Sequence, residues 1–585
     1  MIRNIAIFCF FFVITVLQAE EIFPLAQIKS GMKGVTLTVL QGTNIVSLET
    51  EILGVSEDYL GPGKDLIIGR LIDEKTKLTG AVHGMSGSPL YIEGKLAGAL
   101  SRRIAMFEKD GHCGFTPIAD MLAVEELQNK MTSAKGFSSG RPFFSFPGKN
   151  LLKIGEQGSW LTVPLSFSGV SGYATKILEQ LWEGSRFLIA PGGGSGEAIQ
   201  RGGELQPGSP VSAALLTGDL RIAGTGTLTW RQGSRVLAFG HPMLGLGEVT
   251  MPMCEAEIIS TIPSYMMPYK LGNVRRVIGT VKQDRLSAIA GIVGDRPVLP
   301  RYRVSVQFGK GLAKVYEGNF VSQEDSTPMI LASLLIQSFA GNEEFGGEFS
   351  IILKGQFGME DQEPLNFDAF YTGKEEALAD VMFDVGGRIN RLYQQRLQEI
   401  KPEFFDATLE IQPQESKLKV LSIRLEPQRP KAGQSVKVIV KLKPIYGEVQ
   451  EKSFSLVLPD VLKHGDEGII EVASGLAFYQ QDEGMNQALF SARNLGGETS
   501  ETLRDLLQQW NRQRSSNELV VRLSNRQDGL RWAEKRLEGL PPSIAEILLA
   551  AKPTAIPLSK NHLLEKSVRV KAEILEGAQT SFIVD

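Results

Sequence analysis

Histidine and cysteine are scarce in this chain, with five and three among 585 residues. No His and Cys stand at metal-ligand spacing, so the sequence offers no metal cluster and no cofactor is expected. The formal net charge of −4 gives no electrostatic reason to bind nucleic acid. Nucleotide cradles are lacking as well: neither Gly61-Pro62-Gly63-Lys64 nor the loop Pro191 to Gly196 has the Gly-Lys-Ser/Thr ending that holds phosphates. Beyond the first residues no apolar run reaches the roughly 18 residues of a membrane helix.

What is abundant is glycine, 62 residues, punctuating short runs of Val, Ile, Leu and Thr. That pattern favours strands over helices. The length exceeds one core and implies several domains. Arg3, the apolar stretch Ile5 to Leu17 and Gln18-Ala19 before Glu20 have the three-part form of a secretory signal. An uncleaved anchor is the rival reading. Either way the expected location is exported: periplasmic, cell-envelope or extracellular. Cys9 lies within this segment, which leaves Cys113 and Cys254 to form one bridge or, more in keeping with their isolation, two buried thiols.

The expected fold class is mainly β with accessory helices. Residues 1–19 read as signal, 20–125 as a β-barrel half and 126–204 as a bridging region with a helix over Tyr173 to Glu183. Residues 205–400 read as a second barrel half with covering helices that start at Thr327-Pro328 and at Lys374. Alternating Val436, Val438, Val440 and Leu442 suggest an Ig-like sandwich over 408–475, followed by an α/β tail over 476–585.

The segment Gly84-Met85-Ser86-Gly87-Ser88-Pro89 is built like a turn that presents a nucleophilic serine. Glycines on both sides allow a sharp bend, with the Ser86 and Gly84 amides available as an oxyanion hole. A serine needs a base. His83 sits in the same tight turn and can hardly swing back to Ser86. His112 and Cys113 point to opposite faces of a strand, and His464 and His562 lie in the C-terminal region. His241 follows a strand and precedes Pro242, at a loop edge where its ring could reach a cleft between two barrels. Asp73 and Asp284 are the candidate carboxylates to orient it. Ser88 reads as a turn hydroxyl and Lys95 as a solvated hairpin-tip residue.

Gly84 to Pro89, continued by Leu90-Tyr91-Ile92-Glu93-Gly94-Lys95-Leu96-Ala97-Gly98-Ala99 and by Gly114-Phe115-Thr116-Pro117-Ile118, resembles the serine segment of the SpoIVB-type sporulation serine peptidases. Separately, Leu205-Gln206-Pro207-Gly208-Ser209-Pro210-Val211, the strand Gly226-Thr227-Leu228-Thr229 and Gly240-His241 resemble that family's histidine segment. The resemblance implies a two-barrel, chymotrypsin-like core, with Ser86 as nucleophile, His241 as base and Asp73 as the acidic member. Here the order is reversed: the serine precedes the histidine by about 155 residues, so the halves are permuted. A seam between two barrels tolerates that, because docking and not chain order builds the site. No PDZ-like module is recognisable. The expected partner is a protein or peptide substrate, and one chain completing its own site is preferred over a swapped dimer. The alternative is an inactive, envelope-associated binding or scaffold protein on the same fold.

Overall fold

The computed structural model describes residues 20–104, 110–130, 160–170, 173–192 except 184 and 186, 205–340 except 265 and 266, 347–481 except 396, 502–525, shorter pieces between 529 and 558, and 561–585. The signal segment and most of the Pro191 to Gly196 loop lie outside the described residues. Among the described residues no helix is long and apolar enough to cross a membrane.

The chain is mainly β, 53% strand and 16% helix. Its first unit is a closed barrel of β1 (Lys33–Val39), β2 (Ile45–Gly61), β3 (Lys64–Leu71), β4 (Pro89–Ile92), β5 (Lys95–Arg103) and β6 (His112–Pro117), ordered β1-β2-β3-β6-β5-β4. Strand alternation turns Leu48, Ile52, Ile67, Leu90, Leu100 and Phe115 into its apolar interior. Helix α1 (Ile118–Lys130) leaves this barrel.

A 13-stranded sheet follows: β7 (Val163–Phe167), β8 (Phe187–Pro191), β9 (Pro210–Gly218), β10 (Ile222–Gln232), β11 (Arg235–Ala238), β12 (Gly247–Ile262), β13 (Tyr269–Arg285), β14 (Ala288–Val293), β15 (Arg301–Phe308), β16 (Lys314–Phe320), β17 (Phe349–Met359), β18 (Leu365–Gly373) and β19 (Pro402–Gln412). Within it the antiparallel pairings β9-β12, β12-β13, β13-β14, β14-β11, β11-β10 and β10-β9 run back to their start. Six strands therefore form a second closed ring, and the others extend from it as an open sheet.

Three helices cover that sheet: α2 (Tyr173–Leu181), α3 (Thr327–Ala340) and α4 (Glu375–Gln394). Thr327 through Ser338 are all buried, so α3 is enclosed on every side. Two of its buried polar side chains bond to neighbouring elements: Trp182 Nε1 donates to Ser333 Oγ at 3.0 Å, and Gln337 Nε2 to the Ser168 carbonyl at 2.9 Å.

Past β19 the strands group differently from the sequence reading. Two four-stranded sheets share one core: β20 (Lys417–Glu426), β21 (Ser435–Pro444) and β22 (Gln450–Val457) with Glu573–Glu576, and β23 (Glu467–Ser474) with Glu518–Asn525, Asn561–Arg569 and Ala578–Ile583. The sandwich expected to end at 475 thus draws half its strands from the expected tail, because one four-stranded layer cannot bury its apolar face alone.

Cys113 and Cys254 are both buried thiols with no disulfide between them, and burial pushes Cys254 up to about 12.

Candidate active site

The barrel and the ring meet on an apolar seam, where Leu96, Ala99, Ile118, Met121 and Val124 pack with Trp230, Leu237, Ala288 and Ala290. The serine turn and the histidine loop lie on this seam. The Thr227 amide donates to the Ser86 carbonyl at 2.8 Å, Thr227 Oγ1 to the Gly84 carbonyl at 3.2 Å and Thr229 Oγ1 to the Gly87 carbonyl at 2.7 Å. Three carbonyls of the turn are thus held by β10, the strand that leads through a hairpin to His241. On the other side, Thr116 Oγ1 of β6 donates to the Gly240 carbonyl at 2.7 Å.

Local chain geometry explains the glycines. Gly84 and Gly87 have φ of +93° and +92°, and Phe239 and Gly240 have +71° and +69°. Positive φ is costly for a bulky residue such as Phe239 and persists only where the surroundings enforce it. Here the Phe239 ring fills the space above Gly226, where a Cβ would come within 2.6 Å of it.

Ser86 is fully buried, and its Oγ has no hydrogen-bond partner among the described residues. An unpaired buried hydroxyl costs about 1–3 kcal/mol. Among the described residues, neither the Ser86 amide nor the Gly84 amide donates a hydrogen bond, whereas the Met85 and Gly87 amides are satisfied by Val82 and Leu100. His241 is 2% exposed, and its Nδ1 lies 2.8 Å from the Pro242 carbonyl. A carbonyl only accepts, so Nδ1 carries the proton and Nε2 is the basic nitrogen.

The two carboxylates are engaged elsewhere. Asp73 caps a short turn, accepting from the amides of Lys75 at 2.9 Å and Glu49 at 3.4 Å and pairing with Lys75 Nζ at 3.6 Å. Asp284 is buried and accepts from the amides of Met243, Leu244 and Gly245 at 2.8, 2.7 and 2.8 Å. Burial pushes its carboxyl up, while those backbone N–H groups pull it down. Asp284 therefore orders the loop after His241 and does not bond the imidazole; the oriented contact of Nδ1 is a backbone carbonyl. Replacing Asp284 by Asn should cost about 2–4 kcal/mol in urea unfolding, since an amide cannot accept all of these bonds. Asp73→Asn, still a competent cap, should stay within about 1 kcal/mol and keep Ser86 reactivity. A loss of about 10⁴ in Asp73→Asn would show that it serves the imidazole after all.

His83 is buried with Nδ1 3.1 Å from the Thr162 carbonyl, and desolvation, with Arg103 nearby, lowers it to about 4. His464 and His562 are exposed. Ser88 Oγ donates to Thr38 Oγ1 at 3.0 Å, and Lys95 pairs with Glu21 at 3.0 Å on the surface.

One residue escaped the sequence reading. Lys270, on β13, is fully buried beside Gly84 and donates to Thr38 Oγ1 at 2.8 Å, and burial lowers it to about 7. Nothing in the run Pro268-Tyr269-Lys270-Leu271 distinguishes it from a solvated strand lysine. Between pH 7 and 10.5 the unfolded chain holds a proton that the folded chain has shed, so stability rises with pH across that window and falls as pH drops through it. Lys270→Met should flatten that rise and add stability on the order of a few kcal/mol at neutral pH, read from urea midpoints against pH.

No family model, curated protein or solved structure matches the chain.

Proposed function

We propose that the protein is an exported serine endopeptidase of SpoIVB type, its two barrel halves permuted, hydrolysing peptide bonds at the seam. The observation that carries this reading is the docking of the serine-bearing barrel onto the β10-to-His241 hairpin, the Ser86 turn through Thr227 and Thr229 and strand β6 through Thr116. Ser86 Oγ attacks the scissile carbonyl as Nε2 of His241 takes its proton. The oxyanion is met by the Gly84 and Ser86 amides. The imidazolium then protonates the leaving amine, with its Nδ1–H held by the Pro242 carbonyl in place of a carboxylate. Water repeats the sequence to free the acid product. A carbonyl stabilises the imidazolium less than a carboxylate does, so turnover should be modest.

A fluorophosphonate probe tests this directly. Wild type should be labelled on Ser86, and Ser86→Ala should not. The burial of Ser86 favours one other reading, an envelope scaffold that retains the fold without turnover. A folded wild-type protein that the probe never modifies would decide for the scaffold.

A further inference from the structure

Ser86 and His241 are closed off from solvent, and the side chain over the imidazole is Trp160. Its ring centroid lies 5.4 Å from that of His241, and the Arg102 guanidinium sits 3.5 Å over the same indole. Arg102 is also 5.5 Å from the ring of Tyr59, which is exposed. A stack Tyr59, Arg102, Trp160, His241 thus runs from the surface to the site. Trp160 and Arg102 are only half-buried, unlike the histidine beneath them.

The backbone of the same segment behaves as a bound peptide would. Trp160 pairs antiparallel with Arg102 at the end of β5, and the Leu161 amide donates to the Ser101 carbonyl at 2.9 Å. An extended chain laid on a strand end in this way is β-augmentation, in which main-chain bonds hold the peptide and side-chain slots select it. Leu161 is anchored in the barrel interior and β7 belongs to the large sheet, so the segment stays in place. The indole lies at the surface end of the segment, half-buried.

We propose that the slot between the Arg102 guanidinium and the His241 imidazole is a subsite for an aromatic side chain of a polypeptide substrate, and that Trp160 fills it as a built-in lid. The inference rests on reading Ser86 and His241 as a hydrolytic pair. A side chain that displaces the indole must restore the cation–π contact with Arg102 and cover the imidazole face. An aromatic ring does both; an aliphatic one covers the face but leaves Arg102 only the more distant Tyr59 ring as a π-partner.

The test uses the full chain and does not depend on turnover. In Trp160→Ala, carbethoxylation of His241 by diethyl pyrocarbonate, followed by mass spectrometry, should be at least fivefold faster than in wild type, with exposed His464 unchanged. Indole added to the variant should return His241 to the wild-type rate, as ligands fill engineered cavities; cyclohexanol at equal concentration should not. Arg102→Ala, which takes no side chain from an apolar core, should also speed the modification by releasing the indole, so the idea stays testable if Trp160→Ala folds poorly. An unchanged His241 rate in a folded variant, or equal protection by cyclohexanol, would overturn the proposal. Fluorophosphonate labelling of the same samples reads the hydrolase assignment separately. A slot that opens and accepts indole without Ser86 ever reacting would sink catalysis and leave the aromatic subsite standing.

Discussion

Replacing His241 by Ala is expected to slow acylation of Ser86, and peptide hydrolysis with it, by about 10⁴- to 10⁶-fold. The expectation follows from a single proton. Ser86 Oγ hydrogen-bonds to no described residue, His241 Nε2 included, so the transfer needs a contact that the resting site does not make, and Nδ1 of His241 is committed as a donor to the Pro242 carbonyl. Only Nε2 is left as the basic site of that ring. Ser86→Ala should be as severe, and the double variant no worse than either single one, because nucleophile and base act as a unit. The measurement is the rate of fluorophosphonate incorporation at saturating probe, with folding checked by circular dichroism. Undiminished labelling of His241→Ala would remove the imidazole from the mechanism.

Gly87→Ala should be the most damaging single methyl group at the seam. A Cβ there would stand 2.0 Å from the Thr227 carbonyl oxygen and 2.4 Å from the Phe239 amide nitrogen, at φ +92°. Both obstacles are backbone of the histidine-bearing ring, so neither yields by a rotamer change and the serine turn must lift away. A cost of about 3–5 kcal/mol in urea unfolding is expected, together with loss of Ser86 labelling. Gly94 supplies the control. It too has positive φ, +78°, but nothing lies within 4 Å of its added Cβ, so Gly94→Ala should cost only the left-handed penalty of about 1–2 kcal/mol. If the two variants proved equally stable, the turn and the hairpin would not be docked as closely as described.

Much of the local structure was legible in the residues. Thr327-Pro328 opens a helix as its sequence implies, and the apolar spacing from Leu378 to Tyr393 lies within Glu375–Gln394. The Arg231 to Ser234 turn joins β10 to β11. These features depend on neighbours within a few positions, where the pattern is written. The placement of Asp284 was not legible, because a carboxylate looks the same whether it meets an imidazole or three amides. Lys270 was hidden for the converse reason: a strand lysine is ordinarily solvated, and only the approach of β1 and the serine turn buries it.

By itself the sequence determined a β-rich chain and the bend at Ser86, since each depends on residue type and near spacing. The tertiary structure alone decided that strands β9 to β14 close on themselves, that two distant loops share Thr227, and that a tryptophan covers the imidazole. Those facts come from long-range strand pairing and docking, whose energy is summed over many small contacts between residues far apart in the chain, so no short stretch carries them.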